Sequence, residues 1–215
     1  KLVGVGPGDP SLLTLLAVDA IQKATLIAYP VPNEGSDGMA LSIASSWISD
    51  NQKRLPLLFP MVTESDLRIR AWEEASQKLV ASVNGGEHVA FLCQGDISLY
   101  ASASYVLLYI KKNYPECPIR LIPGVTAISA AAAAAGWPLS LQNDQLLILS
   151  TPDDPKVFEH ILDEAAIEGR ILAFLKLGHR WMWVRPLLKK KGLLDKALFA
   201  QRVGFPDEEI MMASE

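Results

Sequence analysis

Cysteine is scarce: Cys93 and Cys117 are the only two in 215 residues. They allow no disulfide framework and no Cys-x-x-Cys pair, which argues against a stapled secreted fold or a dithiol redox centre and suits a reducing cytoplasm. Histidine is scarcer per function: His88, His160 and His179 lack any second ligand at metal spacing, so no metal site is expected. Positive charge is also short. Twenty Lys and Arg against 24 Asp and Glu leave a net charge of -4, poor grounds for a nucleic-acid partner, which needs a basic face. The one dense basic run, Lys189-Lys190-Lys191, reads as a solvated helix end. Long hydrophobic runs are missing too. The longest weakly polar stretch, Val125–Trp137, is too short to span a bilayer and is built on small alanines, so no membrane partner is expected. No leader pattern precedes the first strand, and both ends read as if trimmed, since the chain opens inside a strand and stops on Met211–Glu215 without an evident element.

What remains is a chain half of whose residues are hydrophobic, long enough for one large domain or two small ones. Short apolar runs alternate with helix-like runs. Strands are expected at Leu2–Val5, Thr25–Tyr29 (ended by Pro30), Arg54–Phe59 (broken by Pro56), Val89–Cys93, Ile119–Ile122, Gln145–Ser150, Arg170–Lys176 and Ala197–Val203. Cys93, closing its run, reads as a buried small hydrophobe. Helices are expected over Leu12–Ala24 (capped by Ser11, with Leu12, Leu15, Leu16, Ala20 and Ile21 inward), Met39–Ile48, Asp66–Val83 (with Leu67, Trp72, Ala75, Leu79 and Val83 inward), Leu99–Lys112, Thr126–Ala135, Pro155–Ile167 and Arg180–Lys191, where Pro186 must kink or restart the helix. The charged, proline-bearing stretch 111–118 is the best boundary, which divides the chain into α/β domains at 1–114 and 119–215.

Two strand-to-helix turns carry the functional signal. The first is Val3-Gly4-Val5-Gly6-Pro7-Gly8-Asp9-Pro10. The second is Gln94-Gly95-Asp96-Ile97-Ser98-Leu99-Tyr100. Loops of this kind at the carboxyl ends of neighbouring strands build small-molecule crevices. The first is not a dinucleotide fingerprint. Asp9 stands where the third glycine belongs, Pro7 removes a phosphate-binding N–H, and no acidic residue ends the second strand. In the second, a helix cap alone explains Asp96, but a cap requires neither Gly95 before it nor Tyr100 after it.

Val3–Pro10, Gly95–Tyr100 and Ile122-Pro123-Gly124-Val125-Thr126-Ala127 resemble the three signature regions of the tetrapyrrole methylase family. Tyr29-Pro30-Val31-Pro32, Met39–Ala44, Leu58-Phe59-Pro60-Met61-Val62-Thr63, Trp72 and Val89–Tyr100 resemble its precorrin-2 carbon-20 subfamily of cobalamin synthesis. The likeness covers nearly the whole chain. One departure is Ile97, where the family usually has proline, which is expected to loosen that loop. Gln94 and Cys93 depart as well.

The resemblance implies an α/β fold of two domains, each with a mixed or mostly parallel sheet flanked by helices, and an active-site cleft between them. It implies S-adenosyl-L-methionine as cofactor, bound by Pro7, Gly95, Asp96, Ser98, Thr126, Ala127 and Ala173, and a homodimer. The implied substrate is a reduced tetrapyrrole with eight carboxylates, precorrin-2 or cobalt-factor II. Its electron-rich meso carbon is the nucleophile, so the protein need only position it and assist proton loss. Asp96 and Tyr100 are the catalytic candidates, and Arg120, Lys176, His179 and Arg180 the candidate carboxylate donors. Methylation of another corrin carbon, and a nucleotide-cofactor oxidoreductase, stay open as alternatives. The segment Tyr29–Thr63, with its loop Val31–Gly38, is expected to set regiochemistry.

Overall fold

Among the described residues, nine strands and seven α-helices arise from the alternating runs. The computed structural model describes residues 1–62 and 64–215; Thr63, at the end of one quoted motif, lies outside the described residues. The elements run β1 (Leu2–Gly4), α1 (Leu15–Gln22), β2 (Leu26–Val31), α2 (Met39–Ala44), β3 (Lys53–Leu58), α3 (Ser65–Asn84), β4 (Val89–Cys93), α4 (Ser102–Asn113) and β5 (Leu121–Ile122). Then come α5 (Ala127–Ala134), β6 (Gln145–Ser150), α6 (Pro155–Glu168), β7 (Arg170–Leu175), α7 (Trp181–Lys190), β8 (Leu198–Gln201) and β9 (Glu209–Met212). No helix among the described residues is long and apolar enough to cross a membrane. The compact units are 1–127 and 128–215. The division falls later than the expected 111–118 because Leu121 and Ile122 pair with Leu2 and Val3, which keeps β5 in the first sheet.

The first unit holds a five-stranded, all-parallel sheet in the order β3-β2-β4-β1-β5. Successive side chains alternate faces. Leu2, Leu26, Ala28, Val89, Phe91 and Cys93 form one core with Ala75, Leu79 and Val80 of α3 and Ala103, Val106 and Ile110 of α4. Val3, Ile27, Ala90 and Leu92 are buried on the opposite face. The connections β1-α1-β2 and β2-α2-β3 run the other way along the sheet, so right-handed crossovers put α1 and α2 on that second face. The helices leaving β1 and β4, which are neighbours, therefore part to opposite faces, the arrangement that opens a binding site outside the strands' carboxyl ends.

Local chemistry explains where the elements differ from expectation. Asp9, not Ser11, is the first cap: its carboxylate accepts the Ser11 N–H at 2.7 Å and starts a short 3-10 turn, Pro10–Leu12. Thr14 then caps α1 by accepting the Ala17 N–H at 3.1 Å, so α1 begins three residues late and turns Leu15 outward, 89% exposed. Ala17, Ala20 and Ile21 are the residues it buries. Strand β2 runs on through Pro30 because its pairing with β4 ends at Ala28. Pro56 survives within β3 because β3 is an edge strand. In α3 the inward face begins at Ala71, and Leu67 is exposed. Trp72 instead stacks on Tyr105 of α4, ring centroids 3.9 Å apart.

The second unit has two separate pairs of strands: β6 with β7, parallel, and β8 with β9, antiparallel. Strand β9 lies in the tail expected to hold no element; Met211 and Met212 pair with Phe199 and Leu198. Asp154 caps α6 with Pro155 in its first turn, and Gly169 ends it in the left-handed conformation. Helix α7 passes through Pro186 unbroken, after a 3-10 turn at Gly178–Arg180. The core gathers Phe158, Leu162, Val184, Leu188 and Ala213. Phe158 packs against Phe174 and edge-on to Trp183. Lys190 and Lys191 face Glu159, and Lys191 also Asp163, which accounts for the basic run as a paired helix end.

Candidate functional site

The carboxyl ends of β1, β4 and β5 carry the three glycine-bearing turns, and main-chain contacts bind these into one assembly. Val5 N–H donates to Cys93 O at 2.9 Å. Gly6 and Gly95 then exchange two hydrogen bonds, at 3.2 and 2.8 Å. Both are left-handed, with φ of +75° and +72°, a conformation that costs glycine little. Gly4 and Gly124 serve a different need. A Cβ on Gly4 would sit 2.7 Å from Gly124 N and 2.8 Å from Gly95 O, and one on Gly124 would strike Gly95 O and Gly4 C. Main chains of three loops thus touch without side chains between them. A Cβ on Gly95 would meet nothing within 4 Å, so the backbone there faces open space that a ligand can enter.

Asp96 ties the assembly together. Its Oδ1 accepts the Ser98 N–H at 2.8 Å and the Ser98 hydroxyl, and its Oδ2 accepts the Gly124 N–H at 2.8 Å. Partial burial pushes the carboxyl upward, but the bonds from Ser98, Gly124 and Ile97 outweigh it and hold the acid below its ordinary range. Ile97 does not leave the loop slack. Its side chain is 2% exposed within the core and its carbonyl accepts the Ser104 hydroxyl at 2.8 Å. Burial takes the place of proline's fixed φ. Two further side chains join the turns: Gln94 Nε2 donates to Pro7 O at 2.9 Å, and Thr14 Oγ1 to Pro123 O at 3.4 Å. Asp9, whose carboxyl the Ser11 N–H holds low, is a turn cap. Cys93 is buried beneath the loop, its thiol pushed up to about 11 by burial, as expected of an inert core residue.

Six of the seven expected cofactor residues belong to these loops. Pro7, Gly95, Asp96 and Ser98 lie in the first two turns, Thr126 just precedes α5 and Ala127 opens it. Tyr100 shares the second loop, 43% exposed, at φ +51°, a strained value for an aromatic residue. Ala173 is on β7, opposite Ile148 of β6, in the second unit. The expected carboxylate donors fare differently. Arg120 precedes β5 and its carbonyl accepts Leu2 N–H at 2.9 Å, at the sheet's amino edge, away from the loops. Arg180 is committed: Nε donates to Asp153 at 2.9 Å and NH1 to Lys176 O at 3.0 Å. Lys176 follows β7 at φ +58° and is exposed, as is His179. The roles of Gln94, Gly4 and Gly124 in joining the loops were not read from sequence. The adjacency of Gln94 to Gly95 was the only signal for it.

A sequence model of the family "Tetrapyrrole (Corrin/Porphyrin) Methylases" matches residues 1–214. A cobalt-precorrin-2 C(20)-methyltransferase of Salmonella typhimurium is 28% identical over 96% of this chain and 84% of its own. A precorrin-2 C(20)-methyltransferase of a Sinorhizobium species is 31% identical over 93% of this chain and 82% of its own. Among solved structures, a cobalt precorrin-4 methyltransferase superposes with a TM-score of 0.72 at 20% identity, over 99% of this chain and 84% of that one. A Thermus thermophilus uroporphyrin-III C-methyltransferase complexed with S-adenosyl homocysteine superposes with a TM-score of 0.63 at 22% identity, over 98% and 80%. These two likenesses concern the fold.

Proposed function

The chain belongs to the tetrapyrrole (corrin/porphyrin) methylases, and from that premise we propose that it transfers a methyl group from S-adenosyl-L-methionine to carbon 20 of precorrin-2, or of its cobalt-containing counterpart, in cobalamin biosynthesis. The names of its relatives support the substrate and the position. The observation that carries the cofactor is the three-loop assembly with open space over Gly95. Its donor set fits. Carbonyl oxygens and an anionic Asp96 suit a sulfonium, whereas Pro7 and Asp9 suit no pyrophosphate. A reducing cytoplasmic setting and a homodimer complete the reading, the latter measurable by sedimentation equilibrium.

Pro7, Gly95, Asp96, Ser98, Thr126 and Ala127 would hold the cofactor. When bound, S-adenosylmethionine supplies an electrophilic methyl on a cationic sulfur. The substrate's meso carbon is already electron-rich, so the residues act chiefly by orientation. Asp96 keeps the loops in register and stays anionic. As a proton acceptor from carbon 20 it would be weak, because both of its oxygens are engaged. Tyr100, on the same loop, is the other candidate for assisting proton loss. Lys176 is the donor for a peripheral carboxylate, since Arg180 is spent on Asp153 and on the Lys176 carbonyl.

Incubation with 13C-methyl-labelled cofactor and precorrin-2, followed by NMR of the product, tests the reading. A new methyl at carbon 20 is expected. A methyl elsewhere overturns the position, and no transfer together with no calorimetric binding of S-adenosylhomocysteine overturns the activity.

A further inference from the structure

We infer that Gln94 is a positioning residue for the cofactor: its carboxamide sets the direction of the Pro7 carbonyl and so the shape of the first loop. The main-chain ladder between the ends of β1 and β4 stops at the Gly6–Gly95 pair. Beyond it the first loop has little to fix it. Gly6 is left-handed and Pro7 has no N–H; the next anchor is the Asp9 cap on Ser11. The Gln94 side chain spans this gap. Nε2 donates to Pro7 O at 2.9 Å across 87 positions of sequence, adding one rung that the backbone cannot make. Gln94 is itself exposed while Pro7 is buried, so the residue can be changed without opening the core.

The inference rests on the proposal that Pro7 contacts S-adenosylmethionine. Gln94 touches the loop and not the reacting atoms, so its effect falls on cofactor affinity. Gln94→Met keeps the length and removes the donor. Gln94→Glu turns a carboxylate lone pair toward the Pro7 carbonyl and is expected to be worse. Loss of a single solvent-facing hydrogen bond corresponds to about a three- to tenfold effect. Calorimetry with S-adenosylhomocysteine is therefore expected to show about three- to tenfold weaker binding for Gln94→Met and a greater loss for Gln94→Glu. In steady state the KM for S-adenosylmethionine should rise by the same factor, with kcat, the KM for precorrin-2 and Tm unchanged. Affinity within twofold of the unmodified protein in both variants overturns the inference alone. So does a loss of affinity that appears only with a fallen Tm, since it marks a merely structural residue. If the unmodified protein itself fails to bind S-adenosylhomocysteine, the cofactor reading falls and takes this inference with it.

Discussion

The Asp96 carboxylate accepts the backbone N–H of Gly124 at 2.8 Å, joining the loop after β4 to the loop after β5 across 28 positions. Its other oxygen holds Ser98. One side chain thereby fixes two of the three turns proposed to hold the cofactor. The third turn is bound to them by the main-chain pair Gly6–Gly95 and by the Gln94 side chain.

A pH dependence follows from that clamp. Hydrogen bonds to the ionised form hold the folded-state acid below its unfolded value. The stabilisation is therefore complete above the unfolded value, near pH 4, and fades as pH falls through the folded value. Asp96→Asn places an NH2 against one of two backbone N–H groups. It is expected to cost about 1 kcal/mol at pH 7, the carboxylate being only partly buried, and to flatten the acid limb of stability below about pH 4. Urea unfolding from pH 2.5 to 7 checks this. The same variant separates the two roles weighed for Asp96. Lost cofactor affinity with an unchanged pH profile of kcat marks the clamp, whereas loss of an acid limb in kcat at constant affinity marks a proton acceptor.

The glycines divide by mechanism. Gly124→Ala and Gly4→Ala drive a Cβ into neighbouring main chain, and overpacking of this kind costs about 1–3 kcal/mol. Both should lose stability and cofactor binding together. Gly95→Ala meets no atom, so its cost is the left-handed backbone alone, about 1–2 kcal/mol. It should remain folded and lose affinity for S-adenosylhomocysteine. Paired denaturation and calorimetry distinguish the groups, and equal affinity losses per folded molecule in Gly95→Ala and in Gly85→Ala, at the C-cap of α3, would show that Gly95 faces no ligand.

Most strands were legible because they are short apolar runs with Gly or Pro within two residues of their end; Val89–Cys93 and Gln145–Ser150 match to the residue. Helix starts were less so. Ser11 and Thr14 are both good caps, and only the Asp9-capped 3-10 turn decides between them. Strand β9 was hidden because Glu209–Met212 is four residues long and gains its identity from pairing with β8. In the site, the glycine motifs marked the loops, but which glycine packs and which stays open depends on contacts between loops far apart in the sequence, such as Gly4 with Gly95 and Gly124. The contact made by Gln94 was invisible for the same reason. Its partner lies 87 positions away.

Tyr100 offers a test of stored strain. A left-handed aromatic residue costs about 1–2 kcal/mol, and glycine there returns most of it while adding about 0.5–1 kcal/mol of unfolded-state entropy. Tyr100→Gly should therefore leave Tm unchanged or slightly raised and lower turnover. Tyr100→Phe isolates the hydroxyl. If both variants turn over normally, Tyr100 is not part of the catalytic machinery.

Lys176→Met addresses substrate charge. With Arg180 holding the Lys176 carbonyl in place, removal of the ammonium should raise the KM for precorrin-2 several-fold, leave the KM for S-adenosylmethionine unchanged, and reduce the salt dependence of substrate binding. Lys176→Arg should restore most of the loss. Equal KM values for Lys176→Met and the unmodified protein over 20–300 mM salt exclude the contact.

Regiochemistry is the remaining test. The loop at 32–38 leaves the carboxyl end of β2, and because the sheet is all parallel this is the same edge from which the loops after β1 and β4 emerge. It is not slack. The Ser36 hydroxyl donates to Asn33 O at 2.7 Å, and Gly38 packs so closely on Pro30 O and the Tyr29 ring that a Cβ would lie 2.7–2.8 Å from them. The base of the loop is thus fixed to β2 while Asn33 to Gly35 at its tip are exposed. A firm base and a free tip suit a rim that excludes wrong poses of a large, flat substrate. Deletion of Asn33–Gly35 should leave the affinity for S-adenosylhomocysteine nearly intact, weaken precorrin-2 binding and spread methyl label over more than one ring carbon. Gly38→Ala, which disturbs the base, should show the same spread together with a lowered Tm. If NMR of the deletion product shows carbon 20 alone methylated at the normal rate, the loop does not determine position.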